Sequence, residues 1–450
     1  MKSSRFNVFV PLGNGSTVLF NTLYGSVSVL EEVERPAAVA ILNSAQSGNQ
    51  NEPLYKQLIA QKHLVADEIN ELAIVENRKR AGISDPNTLH VIVLPTLGCN
   101  FRCVYCYEDH RSSRMSPETT VALKKWLSVA IPLHKVVMLY WFGGEPLLQY
   151  DTVLSVSRHV KSVAEQCGTM PVLHITTNGY LLSTTRAKEL TSSGIRDFQI
   201  TVDGPARTHD RLRVLTSGRG TFKRVFENIC MLATIDEQVK ITLRINFNQT
   251  NLDSIPELME MFPVSLRQQL RVVFEPIFGD CALSAVDNIV PDTLSDRLAR
   301  YSETAAALGY DIVFGMSTVH PGKLVYCYAE RESQYIVNCD GNIFKCSVCD
   351  FRPEQRVGYL GRDGVMHKDE LGWQKWTGGN LFAPRCYSCA YLPLCMGGCR
   401  KMRMHTGSDK ECALVATNTS YLLKQIAFGG LGEVFASGGE SHMSVCKERL

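Results

Sequence analysis

No uninterrupted apolar stretch of about 18 residues occurs in the sequence, which argues against a membrane-spanning helix. Charge of one sign is missing as well: 47 basic and 45 acidic residues, interspersed, leave a net +2. Neither nucleic acid nor an anionic membrane surface is therefore an expected partner. The opening residues, Met1-Lys2-Ser3-Ser4-Arg5-Phe6, pass quickly into a strand-like pattern without a long signal-type apolar region, so a cytoplasmic location is expected. Cysteine, by contrast, is abundant. Sixteen in a chain of 450 residues without a signal peptide point to metal binding rather than disulfides. With 45% hydrophobic and 20% charged residues, the composition is that of an ordinary soluble globular protein, long enough for one large domain and one or two smaller ones.

Residues 1–85 open with two alternating runs, Phe6 to Val10 and Ser16 to Phe20, on either side of Gly13-Asn14-Gly15, a hairpin signal. Helical periodicity follows at Pro36 to Leu42, Pro53 to Leu64 and Asp67 to Arg80. Together they predict a small α+β domain. From residue 86 to 310 six apolar, β-rich runs alternate with amphipathic segments: His90 to Pro95, Val136 to Phe142, Val172 to Thr177, Asp197 to Val202, Lys240 to Phe247 and Arg271 to Phe278. Ser116-Pro117-Glu118 and Thr221 read as helix starts and Gly194 as a helix stop. Repeated β-α units imply parallel strands joined by right-handed crossovers, so the fold class is α/β, a partial (β/α)6 TIM-like barrel. Ligand chemistry then belongs at the C-terminal strand ends. A helix spanning residues 288 to 310 leaves the barrel.

Directly after the first barrel run stands Cys99-Asn100-Phe101-Arg102-Cys103-Val104-Tyr105-Cys106, a C-x3-C-x2-C loop. Three thiolates on one loop hold three irons of a cubane and leave the fourth without a protein ligand; half of a zinc site is the rival. The spacing, with an aromatic before the last cysteine, resembles the signature of radical S-adenosylmethionine (SAM) enzymes. The resemblance implies that Cys99, Cys103 and Cys106 bind a [4Fe-4S] cluster whose open iron chelates SAM, which is cleaved to a 5′-deoxyadenosyl radical, and that Tyr105 lies near the adenine. One strand later, Gly143-Gly144-Glu145-Pro146 looks like the family motif for the SAM amino group: glycines admit a close backbone approach and the glutamate accepts from an ammonium. Thr177-Asn178-Gly179 ends the third run. Thr201-Val202-Asp203-Gly204-Pro205 resembles the strand-four signature, which implies a SAM contact for Thr201 and a bidentate carboxylate partner in Arg213 or Arg219. As residue types alone, the last motif is equally an ordinary turn.

The region 311–450 changes character. Ten cysteines fall between 327 and 446, and the β-α alternation stops. Cys327 is followed by 13 residues to Gly341, four more to Cys346, then Cys386-x2-Cys389-x5-Cys395-x3-Cys399 and 12 residues to Cys412. This resembles the seven-cysteine pattern of the SPASM domain, the C-terminal extension of peptide- and protein-modifying radical SAM enzymes. It implies an iron–sulfur domain closed by a C-terminal helix, with two auxiliary [4Fe-4S] clusters and three clusters in all. Cys327, Cys346 and Cys399 would serve the nearer, and Cys386, Cys389, Cys395 and Cys412 the outer. Cys339, Cys349 and Cys281 are candidates for the fourth ligand of the nearer one, Cys339 foremost, because Asp340-Gly341 would turn it back towards Cys346. Paired zinc sites remain the rival for the same thiolates. Cys167, Cys230 and Cys446 read as core or surface residues.

The resemblance implies a maturase that oxidatively cross-links a ribosomally made peptide through a carbon–carbon or thioether bond, with a precursor peptide or protein as substrate and flavodoxin or ferredoxin as electron donor. Residues 1–85 are similar to the winged-helix-like peptide-recognition domains of such enzymes. The alternatives are maturation of a folded protein partner, of sulfatase or quinone-cofactor type, and peptide epimerisation with Cys281 or Cys349 as hydrogen donor. Sulfatase maturation is disfavoured, because Ser347 stands where those enzymes carry an aspartate, and Asp350 is out of register. No catalytic base is identified.

Overall fold

The computed structural model describes residues 1–12, 15–43, 53–277, 291–313, 322–349 and 351–405. A short strand, β1 (Lys2–Ser3), precedes a three-stranded antiparallel sheet of β2 (Asn7–Pro11), β3 (Thr17–Asn21) and β4 (Val27–Leu30). The expected hairpin is formed, with Asn7 opposite Asn21 and Val10 opposite Val18; the Gly13-Asn14 part of its turn lies outside the described residues. Helices α1 (Arg35–Asn43), α2 (Pro53–Ala60) and α3 (Glu71–Ile83) follow, with β5 (Leu64–Val65) pairing back to β1. Asn70 starts α3 by accepting from Ala73 N, which satisfies one of the orphan donors of the first turn.

Strands and helices then alternate: β6 (Thr88–Val93), the short β7 (Phe101–Cys103), α4 (Pro117–Ala130), β8 (Val136–Trp141), α5 (Tyr150–Cys167), β9 (Met170–Thr177), α6 (Thr184–Ser192), β10 (Ile195–Thr201), α7 (Ala206–Leu212), the short β11 (Arg213–Leu215), α8 (Phe222–Ala233), β12 (Lys240–Phe247), α9 (Ile255–Met261), α10 (Val264–Arg267) and β13 (Leu270–Pro276). The six expected barrel strands β6, β8, β9, β10, β12 and β13 lie side by side in that order, all parallel. Ser116 caps α4 with Pro117 at the first helical position, and Gly194, at φ +101°, ends α6. The cap expected of Thr221 falls instead to Asp210. Its Oδ1 accepts from Thr221 N at 2.7 Å and Phe222 N at 2.8 Å, because the Thr221 hydroxyl is committed to the Arg213 carbonyl at 2.6 Å.

The barrel continues at both edges. Helix α11 (Pro291–Ala307) leads to β14 (Asp311–Ile312) beside β13, and the cysteine-rich region supplies β15 (Gln334–Val337) beside β6, both parallel. Strands β16 (Asn342–Phe344), β17 (Gly358–Leu360) and β18 (Met366–Lys368) follow antiparallel, giving a sheet of 11 strands among the described residues. An open barrel edge is a row of unpaired backbone donors and acceptors; β15 covers it and ties the cysteine-rich region to the first strand.

One face of the barrel strands is apolar and packed on helices. Trp141 of β8 donates to Ser157 of α5 at 2.9 Å, and Phe198, Ile200 and Phe247 are at most 1% exposed. Truncating such a residue to alanine costs about 3–5 kcal/mol for a phenylalanine. The opposite face is polar. Adjacent strands align Tyr140 with His174, Gln199 with Thr242, and Asn246 with Glu275. The lumen is thus not filled by layers of branched apolar residues as in a closed eight-stranded barrel. At the N-terminal strand ends an Asp197–Arg271 ion pair of 2.8 Å stands beside a cavity of about 20 Å³.

Residues 1–85 do not pack alone. Val8, Val10, Val18 and Phe20 share a core with Leu394, and Phe6, Leu23 and Val75 share another with Phe382, Leu392 and Met396. The Thr22 hydroxyl donates to the Ala390 carbonyl and Arg5 to that of Tyr387.

Candidate metal and cofactor site

The cysteine loop leaves the C-terminal end of β6. Its entry is held by Ser113, whose hydroxyl accepts from Leu97 N at 2.9 Å and whose carbonyl accepts from Thr96 at 2.5 Å. Cys103 lies on β7, which pairs antiparallel with β11 so that Cys103 stands opposite Arg213 and Phe101 opposite Leu215. Cys106 N closes the turn onto the Cys103 carbonyl at 3.1 Å. The three thiols lie within electrostatic reach of one another. Burial pushes Cys99 and Cys106 up to about 12 and raises Cys103, with the Glu145 carboxylate adding to the effect on Cys99. By themselves they are neutral thiols; coordination to a metal deprotonates a thiol outright.

The Gly143-Gly144 turn lies directly against this loop. Gly143 has φ +111°, and a Cβ there would stand 2.4 Å from the Thr96 carbonyl; at Gly144 it would stand 2.3 Å from that of Gly98. The close approach that requires glycine is therefore between two loops of the chain itself, sealed by Gly144 N to Thr96 O at 3.2 Å and Glu145 N to Gly98 O at 2.9 Å. Glu145 is fully buried. Its Oε1 accepts from Leu147 N at 3.0 Å and the Thr177 hydroxyl at 2.7 Å, and its Oε2 from Asn178 N at 2.7 Å. Three of the roughly four acceptor positions of a carboxylate are thus filled from within. Asn178 also donates to Asn100 Oδ1 at 2.8 Å and comes within 3.9 Å of Cys99 Sγ.

Tyr105 and Arg213 meet on the other side of the loop. The Tyr105 hydroxyl accepts from Arg213 Nη1 at 2.6 Å and from Asn246 Nδ2 at 3.1 Å, and donates to Asp203 Oδ2. Asp203 is fully buried; its Oδ1 accepts from Asn246 N at 3.1 Å and its carbonyl from Asn251 Nδ2 at 2.8 Å. Burial raises its carboxyl despite the Arg213 guanidinium. Thr201 ends β10, 8% exposed and opposite Arg244. Arg219 is exposed, and its side chain donates to the Ser217 hydroxyl at 3.4 Å.

In the C-terminal region Cys327, Cys346 and Cys399 are gathered: each lies in the electrostatic field of the others. Cys339 does not join them. It is 5% exposed in the barrel core, with its thiol hydrogen-bonded to Ser113. The reason is the β15–β16 hairpin. Cys339 lies at its closed end, whereas Cys327 precedes β15 and Cys346 follows β16 at the open end, a separation of more than about 10 Å at strand rise. Asp340-Gly341 does turn the chain, but the strands then carry it away. Cys386, Cys389 and Cys395 lie on successive turns between 384 and 395, with Cys389 N bonded to the Cys386 carbonyl at 3.1 Å. Cys412, Cys281, Cys446 and Asp350 lie outside the described residues. Ser347 is bonded to the Tyr328 hydroxyl at 2.5 Å. Among the described residues no three His, Cys, Asp or Glu side chains converge as on a single ion.

Several residues of the site carry no motif. Asn246, Arg244 and Glu275 reach the mouth by register alone, and the polar run Asn246, Asn248 and Asn251 after an apolar strand was the signal available for the first. Tyr107 lies in the field of Glu108, Arg244, Tyr328 and Cys106. A surface groove of about 540 Å³, lined by Tyr180, Lys223, Arg224 and Glu227 among others, has no cysteine among its lining residues.

Residues 93–262 match the radical SAM superfamily. Among characterised proteins, a GTP 3′,8-cyclase of Rhodopseudomonas palustris is 28% identical over 55% of this chain and 73% of its own length. An AdoMet-dependent heme synthase of Methanosarcina barkeri is 30% identical over 37% of this chain, which spans 44% of that relative. Among solved structures, native anSMEcpe with bound AdoMet matches 78% of this chain and 99% of its own at a TM-score of 0.56 and 18% identity. Streptococcus suis SuiB bound to its precursor peptide SuiA matches 90% and 97% at a TM-score of 0.52 and 14% identity. No helix among the described residues is long and apolar enough to cross a membrane. The part of the barrel that carries the three-cysteine loop is thus the part of the chain that matches the radical SAM superfamily, a family of enzymes.

Proposed function

We propose that the chain is a peptide maturase that oxidatively cross-links a side chain of a ribosomally made precursor. The observation that carries this reading is that the chain holds a second cysteine group, Cys327, Cys346 and Cys399, in the region whose β15 pairs with β6, the strand from which the Cys99 loop leaves. An enzyme that only cleaves SAM has no use for the second group; one that removes two electrons from a substrate needs a place to send the second electron.

The residues fit the groups they would hold. Cys99, Cys103 and Cys106 supply three thiols and no fourth, which suits a [4Fe-4S] cluster with one open iron. Beside them Asn100 Nδ2 and Arg213 Nε are buried without a hydrogen-bond partner among the described residues. Two unmet donors cost about 1–3 kcal/mol each, a cost that a ligand with carboxylate and hydroxyl oxygens, such as SAM, removes. Gly143, Gly144 and Glu145 shape the opposite wall, Thr201 the strand end, and Tyr105 braces the loop. With the cluster and SAM bound, the site supplies a carbon radical able to take hydrogen from an unactivated C–H bond. Cys327, Cys346 and Cys399 would hold the nearer auxiliary cluster, and Cys386, Cys389, Cys395 and Cys412 the outer. The polar lumen receives the peptide, a reductant of the flavodoxin or ferredoxin type supplies electrons, and residues 1–85 contribute to peptide recognition.

The test uses the full chain reconstituted with iron and sulfide, given SAM, dithionite and a synthetic peptide from any short open reading frame beside the gene. The expected result is 5′-deoxyadenosine together with a peptide lighter by two hydrogens. Zinc-filled protein that yields no 5′-deoxyadenosine overturns the proposal.

A further inference from the structure

Helix α3 reaches out of the N-terminal segment into the cysteine-rich region. Lys79 on its inner face is 1% exposed, and its ammonium donates to Glu330 Oε1 at 2.7 Å and to the Met396 carbonyl at 2.6 Å. Glu330, also 1% exposed, is shared: Arg403 Nη2 reaches the same oxygen at 2.9 Å, and Tyr326 N reaches Oε2 at 3.2 Å. Both ends of this triad are anchored to cysteine segments. Glu330 N donates to the Cys327 carbonyl at 3.1 Å, and Arg403 N to that of Cys399 at 3.1 Å. Met396, which Lys79 also holds, lies between Cys395 and Cys399.

Two cations, the buried Lys79 and the half-buried Arg403, share one carboxylate, so one positive charge is left over. Arg403 Nη1 donates to the neutral Leu381 carbonyl at 3.0 Å, and its Nε is buried without a partner among the described residues; neither position meets a negative charge. Buried charge is costly unless it is compensated, and what lies alongside is the group Cys327, Cys346 and Cys399. Neutral thiols do not balance the charge; thiolates around an electron-rich inorganic cluster do.

Resting on the reading that these three cysteines hold an auxiliary cluster, we propose that Lys79 is a positioning residue for it. Through Glu330 and Arg403 it locks the Cys327 and Cys399 segments together and leaves a positive charge that favours the reduced state of the cluster. The N-terminal segment is then a working part of the electron-acceptor site as well as a place for peptide to bind.

The full-length chain carrying Lys79→Gln, which keeps a donor for the Met396 carbonyl and removes the charge, is compared after reconstitution with the parent, with Lys79→Arg and with Cys346→Ala. Iron content and an EPR-monitored redox titration are the readouts. Lys79→Gln either loses the iron that Cys346→Ala loses or keeps it with the midpoint shifted to lower potential, and Lys79→Arg restores the parental behaviour; either result supports the proposal. Parental iron content with a parental midpoint in Lys79→Gln overturns it. A parent whose iron matches that of Cys346→Ala overturns the cluster reading itself, and this proposal with it.

Discussion

The Arg213 guanidinium donates to the Tyr105 hydroxyl at 2.6 Å, and that hydroxyl in turn donates to Asp203. A residue inside the cysteine loop is thereby tied to the end of β10, to β11 and, through Asn246, to β12. The three-cysteine loop is thus braced by the barrel itself.

Tyr105→Phe removes the centre of that network. Asp203 loses a donor, while Arg213 and Asn246 lose an acceptor, all in a buried setting. A loss of about 1–3 kcal/mol in urea unfolding is expected, with weaker SAM binding by calorimetry. Unchanged stability and affinity would show that the hydroxyl is dispensable.

Gly144→Ala and Gly168→Ala should separate two kinds of glycine. At Gly144 a Cβ meets the Gly98 carbonyl at 2.3 Å, whereas Gly168, at φ +73°, has nothing within 4 Å of the same position. Gly168→Ala pays only for its left-handed backbone, about 1–2 kcal/mol. Gly144→Ala must push the cysteine loop away, so iron bound by Cys99, Cys103 and Cys106 should be lost on gel filtration. Full iron retention in Gly144→Ala would contradict the loop contact.

Much of the barrel was legible because its strands obey local rules. Each of the six runs is apolar and β-rich, and Ser116-Pro117 or Gly194 mark helix ends by chemistry that acts within a few residues. What the local sequence does not reveal depends on distant chain. The β7–β11 pair joins three-residue segments about 110 residues apart, too short for any periodicity. Strand β15 is recruited by an open edge, not by its own pattern. Glu145 and Asp203 were visible as motif residues, yet their commitments to Thr177, Asn178 and Tyr105 require strand order. Asp340-Gly341 marks a turn locally, but that the strands on either side carry Cys339 away from Cys346 depends on the β15–β16 pairing.

That hairpin yields a direct check. Cys339→Ser should leave total iron unchanged, since its thiol faces Ser113, while Cys346→Ser should lower it. Equal losses from both variants would return Cys339 to the ligand set.

Buried neutral histidines set the response to acid. His63 hydrogen-bonds Ser28 and Asn7 at 3.0 Å each, and burial lowers it from 6.5 to about 4. Below pH 6.5 the unfolded chain takes up a proton there that the folded chain refuses. The stability contributed by neutral His63 is therefore complete above pH 6.5 and falls by about 1.4 kcal/mol per unit down to about pH 4. Glu108, pushed up to about 7 by burial, acts in the opposite sense, so the quantity to measure is the difference between the parent and His63→Asn. Urea midpoints should show that variant gaining on the parent as pH falls from 6.5. A pH-independent difference would mean that His63 titrates freely in the fold.

The central claim is that Cys99, Cys103 and Cys106 hold the cluster at which SAM is cleaved. Its most direct test is 5′-deoxyadenosine formation by Cys103→Ala, reconstituted beside the parent and reduced with dithionite in the presence of SAM alone. No product from the variant, with the iron of the other cysteine groups retained, is the expected result; product at the parental rate would contradict the assignment.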